Sequence, residues 1–166
     1  DIKYAIWETQ WLNEFSQHQT SNQMIVVEVE KEFVDSLYYY LNDNLRMDFF
    51  LNPDEKEIQF YISESNVPVI IKRLVTRAPI QKIKNKKAVV PIATLEKIMV
   101  DLFADENLLH FYQGSEMVNI YEKIIDRYSI NFTKLFSYAK RRKKEQEIKQ
   151  FISNNIPNFL EDIQYD

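Results

Sequence analysis

From Leu95 to Phe103 the apolar side chains Leu95, Ile98, Met99, Leu102 and Phe103 recur at i, i+3, i+4, i+7 and i+8. That spacing predicts a helix with one core-facing stripe, and Thr94 is placed to cap its N-terminus. Just upstream, Val90 ends a strand and Pro91 turns the chain toward the helix. Nothing in the stripe is chemically reactive, so the segment points to packing and recognition.

The N-terminal half reads as alternating strands and helices. Tyr4–Trp7 is extended, and Thr9 caps a short helix carrying Trp11, Leu12 and Phe15. Met24–Val29 is a continuous apolar run rich in β-branched residues, as an interior strand requires. Helix Glu32–Leu41 follows, with Phe33, Leu37, Tyr40 and Leu41 on one face. Met47–Leu51 is a further strand. Asn52-Pro53-Asp54-Glu55 then starts a helix: an N-cap, proline in the first turn, and acids at the positive end of the dipole. Ile58, Tyr61 and Ile62 form its buried edge. Val69–Leu74 is another strand, and Ile80–Ile83 with Ala88–Val90 form a hairpin around Lys84-Asn85-Lys86.

After Pro91 the pattern is helical throughout. Ser115 caps a helix through Tyr128, Asn131 caps one through Arg142, and a last helix carries Ile148, Phe151 and Ile152 and ends before Pro157. The expected fold is α/β (or α+β): a mixed sheet with flanking helices, followed by a C-terminal helical bundle. One domain is expected over residues 1–166, with an α/β portion at 1–91 and a helical portion at 92–157. There is no internal repeat and no low-complexity linker.

Composition changes this picture mainly by exclusion. A chain of 166 residues that is 45% hydrophobic buries roughly two-thirds of its unfolded surface and folds without metal or disulfide. There are no cysteines, which removes thiol nucleophiles and Cys-bearing zinc sites and fits a reducing compartment. Gly114 is the only glycine, too few for a phosphate-cradling loop or a dinucleotide fingerprint. His18 and His110 are the only histidines, so no multi-histidine metal site exists, and they read as surface or cap residues. No apolar run approaches the ~20 residues of a membrane span. The expectation is a soluble cytoplasmic protein without membrane contact or cofactor. The chain starts at Asp1 and its first methionine is Met24, which reads as a fragment of a longer protein.

Charge is unevenly distributed. Residues 1–64 hold 4 basic and 13 acidic side chains, whereas residues 65–149 hold 17 basic and 9 acidic. Between Asn66 and Leu95 there is no acid, while Lys72, Arg73, Arg77, Lys82, Lys84, Lys86 and Lys87 are basic. Lys140, Arg141, Arg142, Lys143 and Lys144 form a second cluster. Both are candidate contacts to nucleic acid or an acidic partner, set against the plainer reading of solvated faces with a C-terminal helix complement.

Other chemistry-bearing patterns are weaker. Glu28 and Glu30 alternate along a strand and could divide acid and base roles, but the plainer reading is an exposed strand end. A PD-(D/E)xK nuclease pattern fails: Asp54 opens a helix, and Glu147-x-Lys149 lies within one. Gly114-Ser115 resembles a nucleotidyltransferase opening, but no Asp-x-Asp follows, leaving a turn and a cap. Tyr38-Tyr39-Tyr40 must wrap around more than one helix face, so at least one ring reaches the surface or an interface.

Pro91-Ile-Ala-Thr-Leu-Glu-Lys-Ile-Met-Val-Asp-Leu-Phe103 resembles the P-T-x-E-K/R-x-L-V-D-L segment of AbiEi-type proteins, the antitoxins of bacterial type IV toxin–antitoxin systems. Gln113-Gly114-Ser115-Glu116 and Ile130-Asn-Phe-Thr-Lys-Leu-Phe-Ser-Tyr-Ala-Lys-Arg-Arg142 follow in matching order. Ile6-Trp7-Glu-Thr9 and Ile25-Val-Val-Glu-Val-Glu-Lys31 resemble a related branch of bacterial proteins. The resemblance covers most of the chain, and its motifs are structural. It implies a C-terminal domain that follows a winged helix-turn-helix, an operon repressor and antitoxin, and a nucleotidyltransferase-like toxin as partner. DNA would be met through the preceding domain. No catalytic residue carries over; Glu96 and Asp101 match the pattern and read as helix-surface or inter-helix contacts. The expected function is therefore a non-enzymatic antitoxin or transcriptional-regulator domain. The alternative is a degenerate nuclease-like or nucleic-acid-binding domain of a bacterial defence system.

Overall fold

The computed structural model describes residues 1–20, 22–156 and 159. Six strands form one mixed sheet in the order β3-β4-β2-β1-β6-β5. At its centre β1 (Tyr4–Glu8) and β2 (Ile25–Val29) run antiparallel. β4 (Val69–Arg73) lies parallel to β2, and β3 (Phe49–Leu51) parallel to β4. On the other side β6 (Val89–Ala93) lies parallel to β1 and hairpins with β5 (Ile80–Lys84).

The interior run of β2 explains the layering. Its alternate residues Ile25, Val27 and Val29 face one side, while Val26 and Glu28 face the other. The second side receives the helices α3 (Leu95–Ala104), α4 (Ser115–Arg127), α5 (Phe132–Arg141) and α6 (Glu145–Asn155). Trp7, Val26 and Ile70 from the sheet share one continuous core with Ile98, Met99, Leu102, Ile120, Leu135 and Ile148. That core runs across the boundary between residues 1–91 and 92–157. α3 is buried on almost every side, from Lys97 through Leu102. Phe103, Tyr121 and Phe151 stack edge-on at 5.0–5.7 Å, tying α3, α4 and α6 together.

The opposite side of the sheet carries α1 (Val34–Asn44), which packs Val34 against Val29, Phe49, Val69 and Ile71. α1 leaves an apolar groove of about 610 Å³ beside it, where Tyr4, Ile6 and Val27 meet Phe33, Leu37 and Tyr40. Tyr39 and Tyr40 are 60% and 65% exposed, so the tyrosine triplet does reach the surface.

Several local expectations are corrected. Pro91 sits inside β6, opposite Lys82, so the strand continues to Ala93 before Thr94 caps α3. Proline needs only a position whose N–H the ladder does not use. Thr9 is not an N-cap: it is buried in the first turn of a 3₁₀ segment (Thr9–Glu14), and its hydroxyl accepts from Met24 N. The segment before α1 is a 3₁₀ turn (Lys31–Phe33) rather than its first helical turn. Asp54, not Asn52, caps the short α2 (Glu55–Glu57), which continues as a π turn (Ile58–Ile62); Tyr61 points outward at 59% exposure. Gly114 rather than Ser115 takes the N-cap position of α4, at φ 66°. Pro157 lies outside the described residues.

Candidate functional site

Glu28 was expected at an exposed strand end. It is instead fully buried, because β2 is an interior strand and α3 lies directly over it. Its parallel neighbour in register on β4 is Lys72. Above them, Lys97 and Asp101 are one helical turn apart on α3 and point to the same side. The Lys97 ammonium donates to a Glu28 carboxylate oxygen and, at 2.5 Å, to Asp101 Oδ2. The Tyr138 hydroxyl on α5 donates to Asp101 Oδ1 at 2.7 Å, and the Lys97 ammonium lies 5.6 Å from the Tyr138 ring centroid. One turn further along, Asp105 is held by Lys72 at 2.7 Å and by Arg142 at 2.8 Å.

The chain thus builds an ionic hub that fastens α3 to both the sheet and α5. Burial pushes the Glu28 carboxyl above its ordinary 4.5, against the pull of Lys97. Burial also opposes the charge on Lys97, but Asp101 and Glu28 outweigh it and hold the ammonium above its usual 10.5. Asp105 resists burial in the same way: Lys72 and Arg142 hold its carboxyl below the usual 3.8. Burial, with Asp101 behind it, raises the Tyr138 phenol strongly. The side chains of Lys97, Glu28 and Asp101 are 0–1% exposed, so a substrate reaches them only if α3 moves. No cluster of three or more His, Asp or Glu suited to a metal occurs among the described residues.

The cationic residues fare differently from one another. Arg77, in the loop between β4 and β5, adopts a left-handed φ of 57°. Its carbonyl accepts from Arg141 Nη2 at 2.9 Å, across 64 positions of sequence. The two basic clusters therefore meet, forming a seam between that loop and α5. Arg141 Nη1 also donates to Ser137 Oγ at 3.4 Å. Beside this contact lies a notch of about 350 Å³, which Lys134 and Thr133 of α5 border with Arg77 and Arg141.

Lys82 and Lys84 stand exposed on β5, and Lys86 and Lys87 in the hairpin turn, where Asn85 Oδ1 accepts from Lys87 N and Ala88 N. Lys140 and Lys143 are exposed around the end of α5. Arg73 is exposed at the end of β4, where it borders with Lys3 and Glu32 a second groove that Arg77 and Ile80 also line. Arg142 departs from the expectation: from the C-cap of α5 it turns inward to Asp105 at the end of α3. Lys144 is likewise paired with Glu147 at 3.1 Å.

Sequence reasoning missed Lys134, although it lies seven residues before Arg141 on one helix face in a stretch free of acids from Arg127 to Lys144. It also missed the hub as a unit. The signal was a lysine and an acid at i, i+4 inside an apolar helix, together with an acid inside an apolar strand. Glu96 and Asp101 do act between elements, since Glu96 accepts from Asn131 N at the start of α5. Glu116 is buried and takes hydrogen bonds from Gln17 N and His18 N, pinning the loop after Glu14 to α4.

A family model described as a family of unknown function, DUF6577, matches residues 1–158. The chain belongs to the DUF6577 family. No curated protein and no solved structure matches it. The hub and the seam both lie inside the matched span. Among the described residues, no helix is long and apolar enough to cross a membrane.

Proposed function

We propose that this DUF6577 chain is a non-enzymatic antitoxin or transcriptional-regulator domain of a bacterial toxin–antitoxin system. It neutralises a nucleotidyltransferase-like toxin in the cytoplasm, and its cationic seam is the surface that meets an anionic partner. The observation that carries this reading is the Arg141–Arg77 contact, which brings two acid-free segments to one place on the surface. The AbiEi resemblance supports it from another direction. Lys97, Asp101 and Tyr138 each fall in one of the segments that carry that resemblance, and with Glu28 they form the sealed hub.

The test is co-expression with the nucleotidyltransferase-like product of a neighbouring gene. The intact chain restores growth, and a double variant Arg77→Glu/Arg141→Glu that retains its melting temperature does not. Full rescue by that variant, or the absence of any such neighbouring gene, sinks the reading.

A second reading rests on one observation: Glu28 and Lys72 are side by side on parallel strands, the pairing of residue types a nuclease core uses. Magnesium-dependent cleavage of nucleic acid, lost in Glu28→Gln, would favour it. The burial of Glu28 under α3 argues against it.

A further inference from the structure

We infer that the notch between the β4–β5 loop and α5 binds a phosphate group of a nucleic-acid strand, with β5 as the track along which that strand continues. The inference rests on the seam as an anion-binding surface and specifies its ligand.

Three cationic side chains reach the notch from separate places: Arg77 from the loop, Lys134 from the first turn of α5, and Arg141 from its last. The Thr133 and Ser137 hydroxyls lie among them, and both donate readily to phosphate oxygens. Arg141 is pre-positioned by its bonds to Arg77 O and Ser137 Oγ. Those bonds use two of the five N–H donors of a guanidinium and its Nε is buried, so the remaining Nη donors are the ones a phosphate meets. A planar donor fork of this kind matches phosphate better than a lone ammonium does. The start of α5 adds the positive end of a helix dipole. Among the described residues no acid lines the notch, and Glu96 at the start of α3 is engaged by Asn131 N.

The track follows from strand register. Ile80 borders the notch, and the pairings Ile80↔Ala93, Lys82↔Pro91 and Lys84↔Val89 place Lys82 and Lys84 on the same face of the sheet as Ile80. Ala93 belongs to the helix-covered core, so this is the face that carries α5. At ~3.3 Å per residue, Lys84 lies ~13 Å beyond Ile80. Residues on one face of a strand recur every ~6.6 Å, so Lys82 and Lys84 present evenly spaced cations along this track. Lys86 and Lys87 extend the line at the hairpin turn. A linear row of cations ending in an arginine notch fits a regularly spaced polyanion better than it fits the scattered carboxylates of an acidic protein.

The experiment is fluorescence anisotropy of a labelled short DNA duplex, read as a function of salt, with polyglutamate as a parallel probe. The intact chain binds the duplex, and affinity falls steeply between about 50 and about 200 mM salt. Arg141→Gln weakens binding about tenfold and lowers the salt slope by about 0.9, one phosphate contact. Lys134→Gln, an exposed position, gives a loss in the same direction even if Arg141→Gln fails to fold. Arg73→Gln, off the track, leaves affinity unchanged. Inorganic pyrophosphate competes with the duplex for the intact chain.

No duplex binding at low salt overturns the inference, as does an equal loss from Arg73→Gln, which would mark diffuse attraction. Tighter binding of polyglutamate than of DNA overturns it in favour of an acidic protein partner. The growth-rescue assay is read separately. Toxin neutralisation that depends on the seam without duplex binding removes this inference alone; duplex binding with rescue unaffected by the seam removes the antitoxin reading alone.

Discussion

Lys97 shows what a single residue does in this fold. An ammonium fully out of water is tolerated only because two carboxylates and an aromatic face surround it, and each carboxylate in turn depends on Lys97. Removing the cation alone leaves the Glu28 and Asp101 carboxyls facing each other in the core without their shared partner. Lys97→Met is therefore expected to cost about 3–5 kcal/mol, read from the urea midpoint. A triple variant, Glu28→Gln with Lys97→Met and Asp101→Asn, keeps an acceptor for Tyr138 and removes the unpaired charges. It should be more stable than the single variant, and a triple variant as unstable as Lys97→Met would show that the hub matters through packing rather than charge. In sequence, Lys97 and Asp101 look like an ordinary exposed i, i+4 pair. Only the layers on both sides of α3 make them core residues.

At the scale of elements, the long apolar patterns were reliable and the ends were not. The stripe of α3 and the interior run of β2 stand where the periodicity puts them, because burying a continuous face dominates local preference. Boundaries shifted where turn chemistry offered several equivalent capping acceptors. Asp54 wins over Asn52 as a cap because its side chain accepts from Glu57 N at 2.8 Å, while Asn52 takes a left-handed φ of 40°. Gly114 is the sharpest local requirement. Its φ of 66° and ψ of −133° lie outside the range of L side chains, yet nothing lies within 4 Å of an added Cβ. Gly114→Ala should therefore destabilise by about 1–3 kcal/mol through backbone strain alone. An unchanged melting temperature would mean that the turn before α4 relaxes freely.

For the whole molecule, the buried groups fix how stability depends on pH. Lys97 is held above 10.5 in the fold, so its contribution is complete below that value and is lost as pH rises through the higher folded one. The Tyr121 and Tyr138 phenols, both raised above 10.0 by burial, act in the same direction: unfolded phenols ionise first, so the native state loses ground as pH climbs. The urea midpoint should fall between about pH 9 and about pH 11, with a shallower fall for Tyr138→Phe. A midpoint that stays flat into the alkaline range would contradict the burial of these groups. The same tertiary arrangement sorts the cations: Arg77 and Arg141 meet at the surface, whereas Arg142, adjacent in sequence, is drawn into the Asp105 pair.

Sequence by itself determined the class of fold, the core stripes, the acid-free basic segments and the scarcity of glycine, histidine and cysteine. These are properties of short windows, in which periodicity and composition act over a few residues. Only the tertiary structure decided that Glu28 is sealed beneath α3, that the two basic clusters share the Arg77–Arg141 seam, and that Arg142 does not join it. Those outcomes depend on contacts between residues 37 to 69 positions apart, set by strand order and helix packing. No local pattern encodes which of several adjacent charges faces inward once the layers close.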